Sequence, residues 1–178
     1  MKLKTYYVVA AVTAALVAGM ANIARAEDLT AKVKKAKAGF LEKDDTLGAT
    51  LGKATGYVVF PSVAKGAFGI GAAKGKGQLY EAGNDKPLGQ VKLAQVTIGF
   101  QAGGQAYSEL ILFEDKTSLD NFKKGNFELS AQASAVAVTA GASANAKYEK
   151  GVMVLTMAKG GLMYEASIGG QKFTYKAY

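Results

Sequence analysis

From Gly56 to Tyr175 the chain repeats one pattern: a short run of β-branched and aromatic residues, then glycine. Tyr57-Val-Val-Phe60 reads as a buried strand ended at Pro61, because proline cannot donate to a ladder. Further strands are expected at 66–73, 77–80, 91–101, 105–113, 127–138, 152–157, 162–168 and 172–175. The pairs Gly103-Gly104, Gly160-Gly161 and Gly169-Gly170 are read as hairpin turns. Short strands with glycine-paired turns predict an antiparallel sheet that is curved or barrel-like.

Glycine and alanine also fall inside the expected strands, above all in 66–73 and 131–146. Such strands lack side-chain bulk on at least one face. They call for close approach by a strand, a helix or a ligand.

Helical periodicity appears at the other end of the chain. Leu29, Val33, Ala36 and Phe40 recur on one stripe, so residues 28–40 are expected to form a helix. Lys32, Lys34, Lys35 and Lys37 occupy its flanks and far face. A second short helix is expected over 44–51. A third, opening on a Thr117–Asp120 capping box, should run to Lys124. The fold class is therefore α+β: a single domain with a mainly antiparallel curved sheet and a few short helices.

The first 26 residues are set apart from this domain. Lys2 and Lys4 precede an apolar run from Tyr6 to Met20, and Ala24-Arg-Ala26 fits a small-x-small cleavage site. Residues 1–26 read as a secretory signal peptide, leaving 27–178 as the folded domain, exported to the periplasm or envelope. An uncleaved anchor is the alternative, since the segment is about 20 residues long. Cleavage removes three of the 22 basic residues and none of the 14 acids, lowering the formal charge from +8 to +5.

Every remaining basic residue is lysine. Arginine forks that read base edges are absent, which argues against a nucleic-acid partner. Diffuse lysine charge suits an anionic surface. The chain has no Cys and no His. Zinc sites built on those residues, thiolate nucleophiles and Ser-His-Asp triads are excluded. No metal or other cofactor is expected.

The stretch from Gly56 to Tyr80 invites comparison with a phosphate loop. Gly75-Lys76 supplies a G-K pair, but Ile70 stands where the first glycine is needed, and Gly77 where the hydroxyl is needed. The G-x-G-x-x-G pattern fails at Lys74. The acid pairs Asp44-Asp45 and Glu114-Asp115 lie near expected turns. Neighbours on a strand point to opposite faces, so these acids are expected to cap and solubilise. A carboxylate hydrolase would need two acids converging in one pocket.

The lysines remain. The basic helix has the composition of an interfacial helix, and equally of an amphipathic helix packed on the sheet with solvated lysines. Lys65, Lys74 and Lys76 would extend its charge only if they shared its face.

Four blocks, "KATGYVVFPSVAKGAFGIG", "TIGFQAGGQAYSELILF", "GNFELSAQAS" and "AKGGLMYEASIGG", follow the lysine-bearing helix in order. Together they resemble the SYLF lipid-binding domain family, also described as the Las-seventeen-binding actin-regulator family, over about residues 30–170. The motif positions include Lys53, Gly56, Pro61, Lys65, Gly66, Phe68, Gly99, Gln101, Gly103, Gly104, Gln105, Lys159, Gly160 and Gly169. The resemblance implies a non-enzymatic domain that binds phospholipid, with the basic N-terminal helix as the lipid-binding element. Actin regulation is not carried over to an exported chain.

The expected function is binding of anionic phospholipid surfaces through Lys32, Lys34, Lys35, Lys37, Lys53, Lys65, Lys74 and Lys76. The alternative is a structural or assembly protein of the envelope that packs Gly/Ala-rich strands against a protein partner.

Overall fold

A computed structural model describes residues 28–68, 70–98, 103–125, 127–130, 133–159 and 168–178. The expected signal peptide, residues 99–102 and all but the last residue of the strand expected over 162–168, with its Gly160-Gly161 turn, lie outside the described residues.

The described chain forms α1 (28–43), α2 (Leu47–Lys53), β1 (Gly56–Phe68), β2 (Ile70–Glu81), β3 (Gly89–Ile98) and β4 (Gly103–Phe113). α3 (Lys116–Lys123), β5 (Phe127–Glu128), β6 (Val136–Ala137), α4 (Ala142–Asn145), β7 (Val152–Ala158) and β8 (Lys172–Ala177) follow. The fold is α+β, as the sequence predicts. One sheet runs β5-β8-β3-β2-β1-β4-β7-β6, antiparallel except for the short β6–β7 pair. Among the described residues no helix is long and apolar enough to cross a membrane.

The sheet curls. Phe60 on β1 and Phe173 on β8 are three strands apart, about 14 Å on a flat sheet, yet their ring centroids are 5.8 Å apart. The inner face holds one core of Val58, Phe60, Val63, Leu79, Ile111, Phe113 and Phe173, with Leu119 and Phe122 of α3 packed into it. The outer face carries a second core. There Leu29, Val33, Ala36 and Phe40 of α1 pack on Tyr57, Val59, Tyr80, Leu110, Leu112 and Leu155. The helical stripe is thus buried against the sheet.

Glycine inside β2 makes the curl sterically feasible. A Cβ at Gly77 would lie 2.5 Å from the Val59 carbonyl oxygen and 2.8 Å from the Phe60 ring. The bare backbone of Gly75 and Gly77 is the seat of Phe60, so the chain itself supplies the close approach that the sequence calls for.

Several expected boundaries shift. Pro61 does not end its strand. β1 continues to Phe68 across a one-residue bulge between Val59 and Val63, the setting in which a strand tolerates a residue without an N–H. The Pro61 carbonyl accepts from the buried Ser108 hydroxyl at 2.9 Å. Gly103 and Gly104 open β4, where they pair with Ala67 and Gly66. The cap of α3 is Asp115, whose carboxylate accepts from the Ser118 amide at 2.7 Å. Among the described residues, the strand expected over 127–138 forms two pairs of residues, β5 and β6, on opposite edges of the sheet.

Candidate functional site

Beyond the reach of α1, the outer face of β2, β3 and β8 is open. The strand registers arrange its side chains in rows, since residues directly opposite share a face. Lys76 faces Lys92, which faces Thr174. Two residues along, Lys74 faces Ala94, which faces Lys172. In the other direction Gln90 faces Lys176. With Lys32 from the first turns of α1, six lysines line one groove of about 1300 Å3, against a single carboxylate, Asp28.

Charge neutralisation is sparse. Lys32 pairs with Asp28 at 2.6 Å, and Lys172 with Glu128 at 3.5 Å. Both pairs are exposed and worth little. Among the described residues Lys74, Lys76, Lys92 and Lys176 make no ion pair. The direct Lys76–Lys92 opposition disfavours the sheet by a fraction of a kcal/mol. Such an arrangement suits a phosphate or another anion that brings the missing charge.

A polar network fixes α1 at the edge of this groove. The Gln78 amide donates to the Thr30 hydroxyl at 2.9 Å and to the Tyr178 hydroxyl at 2.7 Å. The Tyr80 hydroxyl donates to the Gln78 carbonyl oxygen at 2.8 Å, and the Tyr80 ring stacks on Tyr57. Burial pushes the Tyr80 phenol well above its ordinary range, with the neighbouring Tyr57, Tyr178 and Asp85 adding to the shift.

The eight lysines singled out from the sequence divide. Lys32, Lys74 and Lys76 meet in the groove. Lys34 and Lys35 are exposed on α1 and do not line it. Lys37 is half-buried, donating to the Tyr57 hydroxyl at 2.8 Å with its ammonium 4.7 Å from the Tyr57 ring centre. It fastens the helix to the sheet. Lys53 sits in the last turn of α2, where it complements the helix dipole. Lys65 faces Ala73 and so lies on the inner face, opposite to Lys74. Lys92, Lys172 and Lys176 were not singled out. Their signal in the sequence is lysine alternating with large apolar residues, Val91-Lys92-Leu93 on β3 and Lys172-Phe-Thr-Tyr-Lys176 on β8.

One acid of each pair, Asp44 and Asp115, behaves as a cap. Buried Asp44 accepts from the Thr46 amide and hydroxyl at 3.0 and 2.6 Å and from the Ser143 amide at 2.7 Å, tying α4 to the α1–α2 turn. Burial opposes ionisation there, but these hydrogen bonds overcome it and bring the carboxyl down to about 2. Among the described residues no group of three or more metal-ligating side chains is found. A smaller cavity of about 320 Å3 near β5 and β7 mixes Lys147 and Lys150 with Glu128 and Glu149, so it offers an anion no net charge.

Comparison with known proteins adds two findings. Residues 94–177, from the middle of β3 to the end of β8, match the family described as Las17-binding protein actin regulator (Ysc84). The chain is also 31% identical over 121 residues to Beta cell expansion factor A of Aeromonas veronii, covering 68% of this chain. It spans about half, 46%, of that relative's length. Through the domain it carries over residues 94–177, the chain belongs to the Las17-binding actin-regulator, or SYLF, family.

Proposed function

We propose that the protein is a non-enzymatic phospholipid-binding protein of the bacterial envelope. Its lysine groove is the surface that meets anionic headgroups. The observation that carries this reading is the unneutralised Lys76–Lys92 opposition inside a six-lysine groove. Family membership supports it, since the SYLF family is associated with lipid binding.

The basic helix takes a narrower part than its composition suggests. Its apolar stripe is committed to the sheet, so it contributes Lys32 at the groove edge rather than an inserting face. A lysine near an anionic membrane contributes about 1 kcal/mol, so the four unpaired groove lysines give roughly 4 kcal/mol, a weak and salt-sensitive attraction.

The test is co-sedimentation of the mature protein with phosphatidylcholine vesicles, with and without phosphatidylglycerol. Binding should require phosphatidylglycerol and fall as salt rises. No association with the anionic vesicles at low salt would refute the reading.

A further inference from the structure

The sheet curls without closing, and a cavity lies where its two ends approach each other. Phe127 of β5, at one end of the strand order, and Val136 of β6, at the other, line the same cavity of about 320 Å3. In a closed barrel a hydrogen-bonded ladder would occupy that seam. Here Leu129 and Ala133, from the chain between the two edges, share the wall with Val152 and Val154 of β7.

Burial divides the lining in two. Each apolar residue of it is buried or half-buried, and each polar residue is exposed. Val152, Val154 and Leu129 belong to the inner core, and Phe127 and Ala133 pack against it. The cavity therefore has an apolar wall that reaches the core and a polar mouth, the division that an amphiphile fits. An apolar cavity of about 150 Å3 holds a benzene molecule, so this one has room for a chain of about ten to twelve carbons. Ala133 and Ser134 belong to the small-residue tract over 131–146, which calls for a close neighbour. A larger side chain at 133 would take up the space.

The polar groups of the mouth are uncommitted. Among the described residues the side chains of Ser130, Ser134, Lys147 and Lys150 make no hydrogen bond or ion pair. Glu128, by contrast, pairs with Lys172 of the lysine groove at 3.5 Å. The four charges of the lining cancel, but two unpaired ammonium groups stand there against one unpaired carboxylate, Glu149. Lysine and hydroxyl donors together suit an anionic oxygen head.

We propose that the seam cavity binds a single acyl chain, with an anionic head held at the mouth by Lys147, Lys150 and the hydroxyls of Ser130 and Ser134. This site is separate from the lysine groove and does not rest on the membrane reading. The chain has two sources, a free fatty acid or one tail of a membrane lipid, because the Glu128–Lys172 pair joins the cavity mouth to the groove.

The test is titration calorimetry of the mature protein without vesicles, using hexanoate, octanoate, decanoate and dodecanoate below their micelle-forming concentrations. Affinity should rise about fourfold per added methylene, as burial of a CH2 group predicts. Equal affinities along the series overturn the proposal. Decanoyl lysophosphatidylglycerol, set against decanoate, separates the sources. Tighter binding of the lysolipid assigns the chain to a membrane lipid, tighter binding of decanoate assigns it to a free acid, and binding of neither overturns the site. Ala133→Phe should weaken decanoate by at least about tenfold without lowering the thermal midpoint, since the ring enters the cavity. Lys147→Gln should weaken decanoate less and leave decanol unaffected. Decanoate binding that survives Ala133→Phe, or that falls with Lys92→Gln rather than with Lys147→Gln, overturns the assignment.

Discussion

The Gln171 side-chain amide donates to the Glu109 carboxylate at 3.0 Å, joining residues from opposite flanks of the curled sheet. Gln171 immediately precedes β8 and Glu109 lies on β4, four strands away. A flat sheet would separate them by about 19 Å. The same amide donates to the Tyr107 hydroxyl at 3.1 Å, so one side chain bridges the opening of the half-barrel. Glu109 is fully buried, and among the described residues no cation pairs with it. Its second oxygen and the hydroxyl of Thr156, its cross-strand neighbour, have no hydrogen-bond partner among the described residues.

A pH dependence follows from this burial. Desolvation raises the Glu109 carboxyl to about 8, against the opposing pull of the Gln171 hydrogen bond. The folded state therefore holds a proton that the unfolded state releases near 4.5. The native advantage is fully present below that value and is lost as pH rises towards and through 8. Urea unfolding should show stability declining by a few kcal/mol between about pH 5 and pH 9. Glu109→Gln should flatten the decline and leave the variant the more stable protein at the alkaline end. An unchanged slope in the variant would show that another group titrates.

Gly77 and Gly66 separate two uses of glycine in one hairpin. A Cβ at Gly77 meets the Val59 carbonyl and the Phe60 ring at sub-contact distances, whereas one at Gly66 meets nothing within 4 Å. Gly77→Ala should cost about 1–3 kcal/mol, as overpacking does. Gly66→Ala should be neutral or slightly stabilising through the unfolded chain. Thermal unfolding of the two variants checks the contrast, and equal losses would contradict the packing described.

Asp44 anchors α4 by a charge that the backbone satisfies. Asp44→Ala leaves the buried Ser143 amide without its acceptor and should destabilise by about 2–3 kcal/mol. With its carboxyl held at about 2 against an ordinary 3.8, the contribution is present above 3.8 and lost as pH falls through 2. The variant should therefore converge with the parent in strong acid, as urea midpoints measured down the pH scale would show.

Local periodicity made part of this molecule legible in advance. The 3.6-residue stripe of α1 and the apolar runs of β1, β4 and β7 are local signals, and each is found in place. The bulge at Pro61 is not local in the same sense. Without it, strand alternation would carry Val59, Val63 and Lys65 onto the outer face together. One extra residue moves Val63 and Lys65 to the inner face, which is why Lys65 parts company with Lys74. The groove was legible only in half, because its other lysines arrive through the strand order β2-β3-β8. That order brings residues 92, 172 and 176 beside residue 76 across a separation no window of sequence spans.

The Lys76–Lys92 opposition separates stability from binding. If the second lysine is present for the fold, replacing it should harm the fold. If it is present for an anion, replacement should help the fold and harm binding. Lys92→Glu converts a repulsive cross-strand pair into an attractive one, a gain of up to about 1 kcal/mol. It also removes one positive charge from the groove and adds a negative one there. At about 1 kcal/mol per charge near an anionic surface, binding to phosphatidylglycerol vesicles should fall by at least tenfold. The expected outcome is opposite signs: a higher unfolding midpoint and a weaker vesicle association, with the difference in binding shrinking as salt rises. A variant that loses both stability and binding would mark Lys92 as structural. One that gains stability with binding intact would place the anion contact elsewhere on the protein.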